Sequence, residues 1–206
     1  MYLWQVKLAV EESLPAVIHD YARQQADLEV RVARARLSLR EVQLWNLDIR
    51  LPDGNRLLES RYLRVAYPLG GQPLNLTIER PQVWLQRNAQ GQWNIEPLLK
   101  RPPHEEPTQL NFRLRISDGV LHFEDLYPTT PVRETIVIRS LSMVQPLQSA
   151  SLKAQGQSDS LGEFTVEALS DGKRWWVEAV VPQMRAERLQ AYLPTREIRA
   201  RTIRSA

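Results

Sequence analysis

The sequence contains no cysteine in 206 residues. That excludes disulfides, thiol nucleophiles and cysteine metal sites, and it fits any redox compartment, a bacterial periplasm included. Histidine is scarce, with only His19, His104 and His122. They form no H-E-x-x-H pair, and there is neither a G-x-S-x-G nucleophile turn nor a glycine-rich phosphate loop. These absences argue against an enzyme and imply no cofactor. No apolar run approaches the roughly 20 residues that cross a bilayer as a helix, and the mean hydropathy is −0.40. The first residues also lack the charged region, apolar core and small-residue cleavage site of a signal peptide. The expectation is a cytosolic protein or a chain missing an anchor that a longer parent carries. Lysine is limited to Lys7, Lys100, Lys153 and Lys173, so the net charge of +3 rests on arginine. Those arginines are scattered, as on a solvated surface, and do not predict a nucleic-acid face.

What the sequence has in quantity is period-two alternation, the signature of half-buried strands. Leu74, Leu76 and Ile78 alternate with polar residues; after Pro81 the apolar positions move to odd numbers, at Val83 and Leu85. Similar phase changes fall at Val32/Ala33 and Leu44/Leu47, which predicts bulged, strongly bent strands. Asn88 to Gly91 reads as a turn, with Trp93-Asn94-Ile95 returning antiparallel. Asp53-Gly54 reads as another turn, and Asp118-Gly119 as the turn of a second hairpin joining Leu110–Ile116 to Val120–Leu126. Further strands are expected near 134–143, 149–157, 163–169 and 174–181. Residues 1–12 fit both periods, and helix is the reading favoured there. From Ser13, a plausible N-cap with Pro15 in the first turn, an amphipathic helix is expected to about Gln25. A short helix is expected over 184–192, and 195–206 as a tail or a truncated continuation. The proline-rich stretch 101–107 reads as a long connection inside one domain spanning 1–194. The resulting fold class is mainly β: a long curled antiparallel sheet, groove-like, opened by a helix and followed by a short C-terminal helix.

The Leu74–Leu99 segment also carries a pattern, I-x-x-P-x-V-x-L-x-R-x-x-x-G-x-W-N-I-x-x-L, formed by Ile78, Pro81, Val83, Leu85, Arg87, Gly91, Trp93, Asn94, Ile95 and Leu98. It resembles the signature of the AsmA-like and TamB proteins of bacterial envelopes, over about a tenth of the chain. The resemblance implies a periplasmic β-groove with an apolar lining, anchored in the inner membrane through a segment not present in this chain. It further implies carriage of phospholipid acyl chains between inner and outer membranes and, for TamB, help from or to an outer-membrane assembly protein.

Weighed on residues alone, polar candidates are weak. His122, Glu124, Asp125 and Asp118 are too few convergent ligands for zinc, and His104-Glu105-Glu106 lies in the connection, so no metal is expected. Asn75-Leu76-Thr77 matches a glycosylation pattern by chance. Arg31, Arg34, Arg36, Arg40 and Arg50 are interspersed with Glu29, Glu41 and Asp48, which reads as a solvated sheet face, with no nucleic acid as partner. The informative feature is the apolar face, which needs a second layer. Three outcomes are open: a closed sandwich that binds a protein partner through a sheet edge, a barrel, or an open trough. The resemblance favours the trough, lined by Val30, Val32, Leu37, Leu39, Leu47, Ile49, Leu76, Ile78, Val83, Leu85, Leu110, Phe112, Leu114 and Ile116.

Overall fold

The structure, a computed structural model, describes residues 2–67, 73–99, 111–145 and 149–182. In chain order its elements are α1 (Tyr2–Ala26), β1 (Glu29–Leu37), β2 (Glu41–Arg50), β3 (Arg56–Ala66), β4 (Leu74–Glu79), β5 (Gln82–Arg87), α2 (Glu96–Leu99), β6 (Phe112–Asp125), β7 (Val132–Gln145), β8 (Ala150–Ser158), β9 (Gly162–Ser170) and β10 (Trp175–Val180). All ten strands join one curled sheet in the order β1-β2-β3-β4-β6-β7-β8-β9-β10, with β5 inserted between β3 and β6. The chain is therefore mainly β, as its alternation predicts. One detail differs from the expected antiparallel sheet: β4 and β5 run parallel to β6. Parallel neighbours need a crossover of a dozen or more residues, and residues 88–111 supply it.

β4 and β5 are the halves of one bent strand. β3 pairs with β4 through Tyr62–Ala66 and with β5 through Leu58 and Glu59. The bend is Arg80-Pro81, where proline has no amide hydrogen to give the ladder. Arg80 N still donates to Ser117 O at 2.8 Å, and Pro81 O accepts from Val120 N at 2.7 Å.

The same bend recurs at the same level in the neighbouring strands. Asn46 in β2, Arg80, and Asp118 in β6 take φ values of 51°, 49° and 53°. In β7 the register slips past Arg139, between Ile138 and Ser140. One extra residue per strand moves the inward side chains from even to odd numbers, so the same face stays apolar beyond the bend. Bulges lined up across strands fold a sheet along a crease. The three phase changes read from the sequence are three points on that crease. Small residues fill it: a Cβ on Gly119 would lie 3.2 Å from Pro81 Cγ. Further along, Gly156 sits beneath the Phe164 ring, its cross-strand partner.

Four expectations are corrected. Asp118-Gly119 is no hairpin turn; β6 runs straight through it as a 14-residue strand, because Asp tolerates the left-handed conformation that a bulge demands. α1 begins at Tyr2, so Ser13 lies mid-helix, where its Oγ donates back to Val10 O at 3.1 Å instead of capping an N-terminus. Trp93-Asn94-Ile95 is not a full returning strand: it makes one bridge, Arg87 to Trp93, before Pro97 draws the chain into α2. Leu39 drops out of the apolar face. β1 ends at Leu37, Ser38 N closes the turn onto Glu41 O at 2.9 Å, and Leu39 at its tip is 100% exposed. The expected helix at 184–192, the connection 101–107, the tail 195–206 and Leu110 lie outside the described residues.

The two edges of the sheet are treated differently. At β1, α1 packs along the strand, and its side chains satisfy edge backbone groups. Glu11 Oε1 accepts from Leu37 N, and His19 Nδ1 bonds Val30 O, both at 2.9 Å. The half-buried positions of α1, Glu11, Leu14, Pro15, Ile18, His19, Ala22 and Ala26, recur at helical spacing and define the face turned to the sheet. At the other edge, among the described residues, β10 pairs only with β9.

Candidate functional site: the apolar face

Strand register turns the alternation into rows that cross the whole sheet. One row begins Leu37, Val42, Val65, Leu76, Leu114 and continues Met143, Leu152, Ala168, Val177. The next begins Ala35, Leu44, Leu63, Ile78, Ile116 and continues Leu141, Ala154, Val166, Ala179. Neither contains a polar residue. Across the crease a third runs Val30, Ile49, Leu58, Val83, Leu121, Ile136 before ending in Ser158 and Gly162. The matching row on the opposite face runs Arg36, Gln43, Arg64, Thr77, Arg115, Ser142, Lys153, Glu167, Glu178, with no apolar residue. A sheet so divided has one wet face and one that shuns water.

The apolar face is crowded but not covered. Every buried strand residue lies on it, including Val30, Ala35, Leu44, Leu47, Ala154 and Ala168, as expected for the concave side of a curled sheet. The larger side chains at the middle of the sheet, Leu76, Ile78, Val83, Leu85, Phe112, Leu114 and Ile116, are only half-buried. Val30 and Ala35, the buried residues of β1, lie on the strand that α1 packs against, and Leu44 and Leu47 of β2 pair next to them.

The predicted residues Val30, Val32, Leu37, Leu47 and Ile49, together with the seven central ones just named, share this face. The rows also contain residues that the sequence reading left out, such as Leu63, Leu121, Leu141 and Leu152. The same alternation marks them, but without pairing partners it does not say which strand phase joins which.

The motif residues Arg87, Gly91, Trp93 and Asn94 close one end of the face. Arg87 pairs with Asp125 at 3.6 Å, and Asp125 is 1% exposed. The same guanidinium stacks over Tyr127 at 4.3 Å and Trp93 at 5.4 Å, and its Nε donates to Gly91 O at 3.1 Å. Gly91 has φ 84°, and a Cβ there would meet the Tyr127 ring at 3.0 Å. Trp93 in turn packs on Phe123, ring centres 5.9 Å apart. Asn94 mimics a strand: its Nδ2 donates to Trp84 O at 2.9 Å, its Oδ1 accepts from Gln86 N at 3.1 Å and its own N donates to Gln86 O at 2.8 Å. Pro81 fills the crease. The motif thus encodes a corner: a bend, a turn and an arginine clamp. Beside it lies a hollow of about 480 Å³ lined by Gln86, Asn88, Gln92 and Asn94 among others. Its amides are spent on the turn, Asn88 Oδ1 accepting from Gln90 N and Gln92 N.

The polar candidates do not converge. His122 stacks on Trp84 at 5.0 Å and meets Gln82 Oε1 at 3.2 Å, Glu124 pairs with Arg133 at 2.6 Å, and Asp125 points to the other face. Among the described residues no three metal-type ligands come together. Arg31 pairs with Glu29, Arg50 with Asp48 at 3.0 Å, and Arg34 lies 5.2 Å over Trp45. A bond from Arg64 holds the Glu41 carboxyl below its ordinary range, and burial pushes the Tyr62 hydroxyl up.

The fold and its face define a class: an open, curled, single-sheet β protein with a helix-capped first edge. Compared with protein-family models and with curated proteins, the chain matches none.

Proposed function

We propose that this chain is a non-catalytic segment of an AsmA/TamB-like envelope protein that carries phospholipid acyl chains along its apolar face between inner and outer membranes. In this reading the face works in the periplasm, the parent is held at the inner membrane through a segment outside this chain, and an outer-membrane assembly protein is a further partner. The observation that carries the reading is the pair of unbroken apolar rows spanning the sheet, whose central side chains are not fully buried. Removing apolar area from water contributes about 25 cal/mol per Å², so an acyl chain laid on such a face gains without any directional contact. Passage by desolvation alone needs no nucleophile, acid or metal.

The incomplete burial of the central residues also favours an open trough over a closed sandwich, whose inner faces interdigitate and leave their residues buried. The test is native mass spectrometry of the gently purified chain, with extraction and identification of its lipids. Stoichiometric phospholipid is expected. Leu114→Asp, at the centre of the first row, should abolish that lipid while the protein still unfolds cooperatively near its original temperature, because an exposed trough floor tolerates a charge. Collapse of the Leu114→Asp fold, together with a lipid-free parent that refuses added phospholipid, would mean that the face is an internal core and the chain a closed interaction module.

A further inference from the structure

The tip of the β9–β10 hairpin is apolar and basic at once. Trp175 and Trp176 are 53% and 55% exposed, and Leu169, the cross-strand partner of Trp176, is 60% exposed. Lys173 and Arg174, just before them in the turn, are exposed as well. Asp171 accepts from the backbone N of both, at 2.9 and 2.8 Å, so its carboxylate is committed to the amides of the turn. Neither the Lys173 ammonium nor the Arg174 guanidinium makes an ion pair with a described residue.

The placement of the two indoles specifies what can cover them. Consecutive strand residues point to opposite faces, so Trp175 shares the face of Val177 and the apolar rows, and Trp176 shares the polar face with Glu178. A rigid partner lying on one face covers one ring only, and a strand added along the edge pairs with the backbone and leaves both rings outside. A fluid bilayer interface closes around a hairpin tip and takes both. Tryptophan favours that zone because its ring is apolar with a polar N–H, and water there still serves the open backbone groups of an edge strand, which hydrocarbon cannot. The β1–β2 turn, at the same end of the strands, repeats the chemistry: Leu39 is 100% exposed and Arg40 follows it.

We infer that the tip of the β9–β10 hairpin docks on the surface of an anionic phospholipid bilayer, with Trp175 and Trp176 seated at headgroup level and Lys173 and Arg174 facing the lipid phosphates. The two cations supply attraction to the charged surface, and the two indoles supply the apolar contact that holds the tip there. This inference stands apart from acyl-chain carriage: it concerns where the protein meets a membrane surface, whatever the apolar face holds.

Flotation of the full chain with vesicles of phosphatidylcholine, alone or mixed with phosphatidylglycerol, tests it. Binding to the mixed vesicles is expected, weakening as salt is raised, with little binding to phosphatidylcholine alone. Lys173→Glu combined with Arg174→Glu should lower the affinity at least about 25-fold, since each cation near an anionic surface is worth about fivefold. Trp175→Ala combined with Trp176→Ala should lower it at least about tenfold, with urea midpoints showing that both variants fold. Brominated phosphatidylcholine in the mixed vesicles should quench tryptophan emission in the parent and quench it much less in Trp175→Phe combined with Trp176→Phe, which keeps the strand apolar. Arg61→Glu combined with Arg133→Glu, the same charge change away from the tip, should lower the affinity no more than about threefold. Leu114→Asp, which acts on the apolar face, should leave vesicle binding unchanged; its loss there would mean that the trough, not the tip, holds the bilayer. A parent that does not float with the mixed vesicles, tip variants that bind as the parent does, or an equal loss from the Arg61 and Arg133 reversals overturns the inference. So does tryptophan emission that shifts with protein concentration in the absence of vesicles, which would assign the tip to a second copy of the chain.

Discussion

Gly156 shows how a single missing Cβ shapes the sheet. A methyl there would stand 2.4 Å from Val137 O and 2.6 Å from Phe164 Cζ, and the first of these is backbone that cannot swing away. Gly156→Ala is therefore expected to cost at least about 2 kcal/mol, measured as a lowered urea midpoint. Arg80 offers the converse case. Its φ of 49° costs an ordinary residue roughly 1–2 kcal/mol, so Arg80→Gly should raise stability by about 1 kcal/mol in the same assay. A fall would mean that the arginine side chain, not the bulge, holds the crease. At the corner, Arg87→Met leaves Asp125 buried without its cation, a change expected to cost roughly 3–5 kcal/mol. Asp125→Asn in the Arg87→Met background should recover part of it. The sequence marks Pro81 and Gly91 as punctuation because proline and glycine act locally. It does not reveal Asp125 as the partner of Arg87, since that pairing depends on β5 lying beside β6, a contact between residues 38 positions apart.

At the scale of elements, strands are legible wherever alternation is clean, and their ends are not. β7 to β10 fall within two residues of the spans read from alternation, because each carries its own apolar phase. Asp118-Gly119 misleads because a bulge and a turn demand the same residue types; only the pairing of Glu79 with Ser117 and of Gln82 with Val120 decides between them. α1 misleads in the same manner at Ser13, a residue suited to a cap that the helix absorbs. The β9–β10 turn makes an element-scale prediction. Backbone bonds from Lys173 N and Arg174 N, 2.9 and 2.8 Å long, hold the Asp171 carboxyl below its ordinary range. A lowered folded pKa means stability that is present above the ordinary aspartate pKa and is lost as pH falls through the lowered value. Exchange at the amides of Lys173 and Arg174 should therefore quicken, relative to intrinsic rates, as the solution is acidified below the ordinary aspartate range. In Asp171→Ala it should be fast throughout, and an unchanged wild-type profile would show that the turn stands without its carboxylate.

At the scale of the molecule, the alternation predicts one apolar face. The structure adds that its residues align into rows perpendicular to the strands, which no periodicity can show. A row crossing nine strands at about 4.8 Å spacing is roughly 38 Å long, whereas one leaflet of a bilayer core is about 15 Å deep. The face is thus long enough to hold an acyl chain at more than one position along a row, as a conduit requires and a single closed pocket does not. A photo-reactive side chain placed in turn at Leu76, Leu114 and Leu152, all in the first row, should crosslink phospholipid at every position. A charge at Leu114 should then interrupt the row: with Leu114→Asp present, labelling at Leu76 and Leu152 should fall together with the bound phospholipid. Labelling confined to one of the three positions in the parent would instead describe a discrete site, and the conduit reading would give way to a binding module.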